Sequence, residues 1–376
     1  MAIPHYIYID DEKEDSIISL VHGLNDTKEI DVKILKITHD ETFDSLTEKI
    51  QLSVKDNDAN GILIDLCLNG EGENHLNFTA APVAQHIRSL ASDGQLPSLP
   101  IVLCSTDEKL KKTYNTDKVS HDLYDYKFVK GNDIKWDKVR RKMAVLVQDY
   151  PILYKKNLSE IINLSEEEIQ DLDSRIFDRF ITDKSHVEHE YAHFIIKDMF
   201  QHPGVLINEK SLAARLGVDT EKSQDWVHLL EILDSNLRYK GVFSKGWKRF
   251  WSHRLNILFQ EISEGNSWVS LNAEERVNIL VKKYGLKKIQ AAKPLKFASS
   301  SYFDTICEYT KMPLDSMEGY EIFESYELRP WQTPKYISFY GIAKDTYHDI
   351  ITIKERELNR FKINRENIQN ESETNK

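Results

Sequence analysis

The stretch GILIDLCLNG, residues 61–70, sets a single carboxylate, Asp65, at the end of an aliphatic run. A charge at the end of a strand that looks fully buried is not a packing residue, so Asp65 is either a site residue or a helix cap. Three other runs end in the same way. YIYIDD ends in Asp10 and Asp11, PIVLCST in Ser105 and Thr106, and YKFVKG places Lys130 near its end. Together these residues suit phosphoryl chemistry. Clustered carboxylates hold a hard cation such as Mg2+ through oxygen ligands. The cation reduces the repulsion between Asp65 and an incoming phosphoryl group, so that Asp65 can act as nucleophile and form an acyl phosphate. Ser105 can donate to a phosphoryl oxygen, and Lys130 can pair with it as a point charge.

These residues reach one place only if the elements carrying them form a particular sheet. Strand signals at HYIYID, IDVKILKI, GILIDLCL, PSLPIVLCS and YDYKFVK alternate with helical patterns at DSIISLVHGL, ETFDSLTEKIQLSV, TAAPVAQHIRSLA and IKWDKVRRKMAVLVQDY, with a helix or loop at EKLKKTYNT. Such alternation predicts an α/β domain with a doubly wound, five-stranded parallel sheet. With the flavodoxin-like order 2-1-3-4-5, strands 1, 3, 4 and 5 bring their carboxyl ends to one edge, where ligands bind in such sheets. The pattern stops near Pro151, which predicts a first domain over 1–150. A mainly α-helical domain is expected over 151–362, opening with a capping box at Ser165 and Glu168, and a disordered polar tail over 363–376.

The set resembles the response-regulator receiver domain across residues 3–150. On that resemblance Asp10 and Asp11 match the metal-binding acid pair, Asp65 the phosphoacceptor, Ser105 the hydroxyl residue and Lys130 the lysine. The chain departs from the family at Gly131, where a proline is usual, and in a longer loop after Asp65. Lys127, with Tyr124 as its aromatic, is a rival for the site lysine. The resemblance implies two-component signalling: a cytoplasmic protein that receives its phosphoryl group from a histidine kinase or kinase-like ATPase, binds Mg2+, and controls a C-terminal output or adaptor module with its own protein partner. The resemblance to its divergent members further implies a place in a bacterial defence-type system.

The second half holds competing motifs. HEYAH matches H-E-x-x-H, so that His189 and His193 could bind zinc with Glu190 as base, as in a zinc metallopeptidase. A third ligand is not obvious; His202, Glu209 and Glu221 are candidates. From Ser211 the pattern resembles a helix-turn-helix with a second helix beginning near Thr220, but Glu221 and Asp225 are the wrong charges for a groove-reading helix. Residues 238–254 combine Arg238, Lys240, Lys245, Lys248, Arg249 and Arg254 with Trp247 and Trp251, without an intervening acid. That suits nucleic acid, a DNA-binding regulator using 211–254, or an acidic protein partner; it also suits a core of aromatics rimmed by cations.

The 376-residue chain carries a formal net charge of −11, which disfavours generic binding to nucleic acid or membrane. Cys67, Cys104 and Cys307 show no metal spacing and read as free thiols of a reducing cytosol. No signal peptide is expected from the N-terminal sequence, and no apolar run reaches membrane-spanning length.

Overall fold

The computed structural model describes residues 3–56, 59–69, 74–106, 120–131, 133–155, 157–182, 187–324, 326–343 and 352–374. It divides into two compact units: 1–196 together with 240–247, and 197–239 together with 248–376.

The first unit contains the expected sheet. Strands β1 (His5–Ile9), β2 (Asp31–Ile34), β3 (Gly61–Asp65), β4 (Ile101–Ser105) and β5 (Tyr126–Val129) are all parallel, in the order β2-β1-β3-β4-β5. β3 and β4 are buried along their whole length, which is why they read as unbroken aliphatic runs. On one face Ile7, Ile9, Ile62, Ile64 and Leu103 pack into a core with Leu46 and Ile50 of helix Phe43–Lys55 and Val83 and Ile87 of helix Ala80–Ser92. Helix Phe43–Lys55 is capped by Thr42, which accepts from the Ser45 amide. On the other face Tyr6 donates to the Met143 carbonyl, 2.8 Å away in helix Trp136–Leu153. Gly61 is required for this packing, because a Cβ there would stand 2.3 Å from the Tyr6 ring.

A buried polar network ties the far side of the sheet. Asp125 accepts from Arg88 (2.8 Å), from Tyr150 (2.7 Å) and from the Ile101 amide (2.8 Å), while Arg88 also donates to the carbonyls of Leu99 and Leu123. Both Asp125 oxygens are thereby engaged, as a carboxylate out of water requires.

The first unit does not end near Pro151. That proline lies inside helix Trp136–Leu153, and the unit continues through the capped helix Glu166–Asp171 to Ile196. The Ser165–Glu168 capping box is present. Residues 240–247 then complete the unit, 44 residues further along the chain. Trp247 meets Tyr126 of β5 edge to face at 5.9 Å, and the Lys142 ammonium lies over both rings, at 5.0 and 4.6 Å.

The second unit is helix-rich. Helices Glu209–Leu216, Trp226–Leu237, Ser252–Ile262 and Ala273–Tyr284 bury Leu212, Leu229, Leu233, Phe259 and Leu280 in one core. Three antiparallel pairs accompany them: Leu206–Ile207 with Phe250–Trp251, Thr305–Ile306 with Pro313–Leu314, and Tyr320–Glu321 with Tyr336–Ile337. Of the tail expected to be disordered over 363–376, the described residues 363–374 belong to the helix Leu358–Thr374; Phe361 and Ile368 anchor that helix to a local core, and Arg360 donates to the Met317 carbonyl at 2.8 Å. The helix or loop expected at EKLKKTYNT lies outside the described residues.

Candidate functional site

The carboxyl edge of the sheet brings together Asp10, Asp11, Asp65 and Lys130. Asp10 and Asp11 follow β1, Asp65 ends β3, and Lys130 follows β5. The three carboxylates each offer a ligand oxygen within 4.8 Å of the others, the one such trio of acid, histidine or cysteine groups among the described residues. The Lys130 ammonium bridges two of them, at 2.7 Å from Asp10 Oδ2 and 2.6 Å from Asp65 Oδ1. Backbone amides hold the other oxygens: Cys67 donates to Asp65 Oδ2 (2.8 Å) and Glu12 to Asp10 Oδ1 (3.0 Å).

All three aspartates are buried. Burial raises the pKa of Asp65; Lys130 opposes that rise and the neighbouring Asp10 charge adds to it. Burial works against the Lys130 charge, but Asp65 and Asp10 outweigh it and hold the ammonium protonated. Among the described residues, the Lys130 ammonium is shared by Asp10 and Asp65, with the Asp11 carboxylate beside them. The three carboxylates form a donor set of the type that holds a hard divalent cation. The site opens to a cleft of about 610 Å³ lined by Tyr8, Asp10, Asp65, Thr106, Lys130 and Trp136, among others.

Strand register resolves the two lysines. Lys127 pairs with Leu103, while Phe128 pairs with Cys104, the partner of Asp65. Alternation therefore sets Lys130 on the face of Asp65 and Lys127 on the other. The same parity applies to Ser105, one position past Cys104. Its side chain is fully buried, its Oγ has no hydrogen-bond partner among the described residues, and Thr106 rather than Ser105 lines the cleft. The expected hydroxyl stands at the right strand end without touching the acids.

Sequence reasoning missed Tyr8. Its hydroxyl, buried beneath the acids, donates to Asp10 Oδ2, its ring lies 5.6 Å from the Lys130 ammonium, and the Cys104 thiol approaches its oxygen at 3.7 Å. Burial, with the Asp10 charge adding to it, raises the Tyr8 pKa well above its ordinary value, so the hydroxyl is a donor. Burial also pushes the Cys104 thiol up to about 12. The available signal was positional: Tyr8 precedes Asp10 by two and so shares its face of the strand.

The other motifs do not form sites of the expected kind. His189 and His193 lie on the helix Glu188–His193, which continues as a π-helix, Phe194–Phe200. Both line an open pocket, yet no third ligand joins them among the described residues. The Glu190 carboxylate, expected as a base, is taken by Arg179 at 2.5 Å and by the Val187 amide at 3.2 Å. Burial lowers the His189 pKa to about 4.

No helix begins near Thr220. Residues 218–225 form turns held by Asp219, and the next helix starts at Trp226, too far from Leu216 for a three- or four-residue turn.

The basic run at 238–254 is no continuous cationic surface. Tyr239, Phe243, Trp247, Phe250 and Trp251 are buried. Arg238 pairs with Asp234 (3.0 Å), Lys248 with Glu209 (3.4 Å), Arg254 donates to the Asn236 carbonyl, and Arg249 donates to the Phe200 carbonyl. Burial lowers the Arg249 pKa to about 10. Lys240 and Lys245 are exposed. No helix among the described residues is long and apolar enough to cross a membrane.

No protein-family model matches the chain, and no curated protein matches it.

Proposed function

We propose that the first unit accepts a phosphoryl group on Asp65 in the manner of a receiver domain, and that the helix-rich remainder is the module whose contacts respond. The observation that carries this reading is the Lys130 bridge between Asp10 and Asp65 at the carboxyl edge of a 2-1-3-4-5 sheet. Asp65 Oδ1 is the oxygen that Lys130 already contacts, so an incoming phosphoryl group would meet an ammonium beside the nucleophile. The ionised carboxylate forms a bond to phosphorus as the bond from phosphorus to the donor imidazole nitrogen breaks. The electron pair stays on that nitrogen, which then takes a proton from solvent. Asp10, Asp11 and Asp65 would hold Mg2+, which would supply neutralisation of negative charge as the phosphoryl group approaches. A histidine kinase or a kinase-like ATPase is the donor class this chemistry needs. The chain is thus a regulatory phosphoacceptor in a cytoplasmic pathway, with a protein partner for its second unit.

The test is Mg2+-dependent beryllofluoride binding and acetyl-phosphate labelling of the full chain. Wild type is expected to bind and label, and Asp65→Asn to do neither. Labelling that survives Asp65→Asn, or a wild type that takes up neither reagent, rejects the reading.

A further inference from the structure

Asp10 is held from below as well as from the side. Its Oδ2 accepts two hydrogen bonds, from the Tyr8 hydroxyl and from Lys130, and its Oδ1 accepts one, from the Glu12 amide. A carboxylate oxygen has two in-plane lone pairs. Oδ2 is therefore filled by protein donors, and the remaining capacity of Asp10 is on Oδ1. Lys130 is a poor permanent anchor for this arrangement, because it also contacts Asp65 and a phosphoryl group would compete for it. Tyr8 has no such second duty. It is the penultimate residue of β1, fully buried, with its hydroxyl reaching the Asp10 carboxylate and the Cys104 thiol.

From this geometry we infer that Tyr8 is a positioning residue for the divalent cation. By fixing Asp10 Oδ2, it keeps the carboxylate oriented with Oδ1 available before any cation arrives. This rests on the phosphoacceptor reading and adds to it a residue outside the acid, hydroxyl and lysine set. Loss of a hydrogen bond to a metal-ligating group typically weakens affinity 10- to 100-fold.

The experiment is calorimetric Mg2+ titration of the full chain as wild type, Tyr8→Phe and Tyr6→Phe. Tyr6 is the matched control: the same strand, the same face and a buried hydroxyl, but one that bonds the Met143 carbonyl. Tyr8→Phe is expected to raise the Mg2+ dissociation constant about 10-fold, while Tyr6→Phe stays within about twofold of wild type. Saturating Mg2+ should restore the wild-type extent of acetyl-phosphate labelling in Tyr8→Phe. In an Asp10→Asn background, Tyr8→Phe should add less than about a twofold change, because the carboxylate it holds is gone. An unmoved Tyr8→Phe constant beside an intact wild-type isotherm overturns this inference alone, as do equal shifts in both tyrosine variants. A wild type with no Mg2+ isotherm overturns the phosphoacceptor reading and this inference with it.

Discussion

Lys130 stands between two buried carboxylates, and its removal should be felt first in stability. Lys130→Met leaves Asp10, Asp11 and Asp65 close together without their ammonium. Breaking a buried ion pair on one side costs about 3 kcal/mol or more. Urea unfolding in chelator should show a loss of that order, and millimolar Mg2+ should recover more stability in Lys130→Met than in wild type, since the cation then has no ammonium to compete with. Equal Mg2+ dependence in both proteins would contradict the charge balance described for the site. At this scale the acids and the lysine were legible because each interrupts or follows an apolar run at a strand end. Tyr8 was not, since an aromatic within a buried strand reads as core. The choice between Lys127 and Lys130 turned on strand parity, which needs the strand's end known to a single residue. Parity also separated Ser105 from the acids it was expected to join.

The segment 240–247 shows how composition can leave an element open. Its aromatics and cations suit a binding surface and a cation-rimmed core alike, and the second is what forms: Trp247 packs on Tyr126 and Lys142, and Phe243 on Tyr150. The Phe243 amide also donates to Asp149 at 2.5 Å. Trp247→Ala should therefore destabilise the first unit by about 3 kcal/mol, the usual order for a buried tryptophan. Amide hydrogen exchange should rise along β5, although the substitution is more than a hundred residues away in sequence. Unchanged protection at Tyr126–Val129 would refute that coupling. The sheet and its helices were readable because period-2 and period-3.6 patterns alternate cleanly through the first 150 residues. The basic run stayed open between a binding surface and a core rimmed by cations because two of the acids that neutralise it, Glu209 and Asp234, lie outside the 238–254 window. The expected second helix at Thr220 failed for a local reason: Asp219 accepts from the amides of Glu221 and Lys222 and closes a turn there instead.

Across the whole molecule, two histidines in different units give stability a common dependence on pH. Burial lowers His189 in the first unit and His202 in the second to about 4, from an ordinary value of 6.5. Between those values the unfolded chain binds protons that the folded chain refuses. Stability from these groups is complete above pH 6.5, falls as pH drops toward 4, and levels off below it. Each histidine contributes up to about 3 kcal/mol, with less for the more exposed His189. Urea midpoints measured from pH 7.5 to 4.5 should fall, and His202→Gln with His189→Gln should flatten the slope; an unaltered slope would exclude these two as its source. The domain boundary was the least legible feature at this scale. Pro151 looked like a terminus, but it lies within a helix, and membership of 240–247 in the first unit depends on tertiary contacts that no local pattern encodes. That membership has a consequence for how the protein is made. The first unit cannot be completed on the ribosome until Trp247 has been synthesised, some 50 residues after Ile196. At ordinary elongation rates that is a wait of about 3–10 s, during which Tyr126 and Tyr150 lack their covering rings. The nascent chain is therefore most open to chaperones, and to mispairing along β5, within that interval.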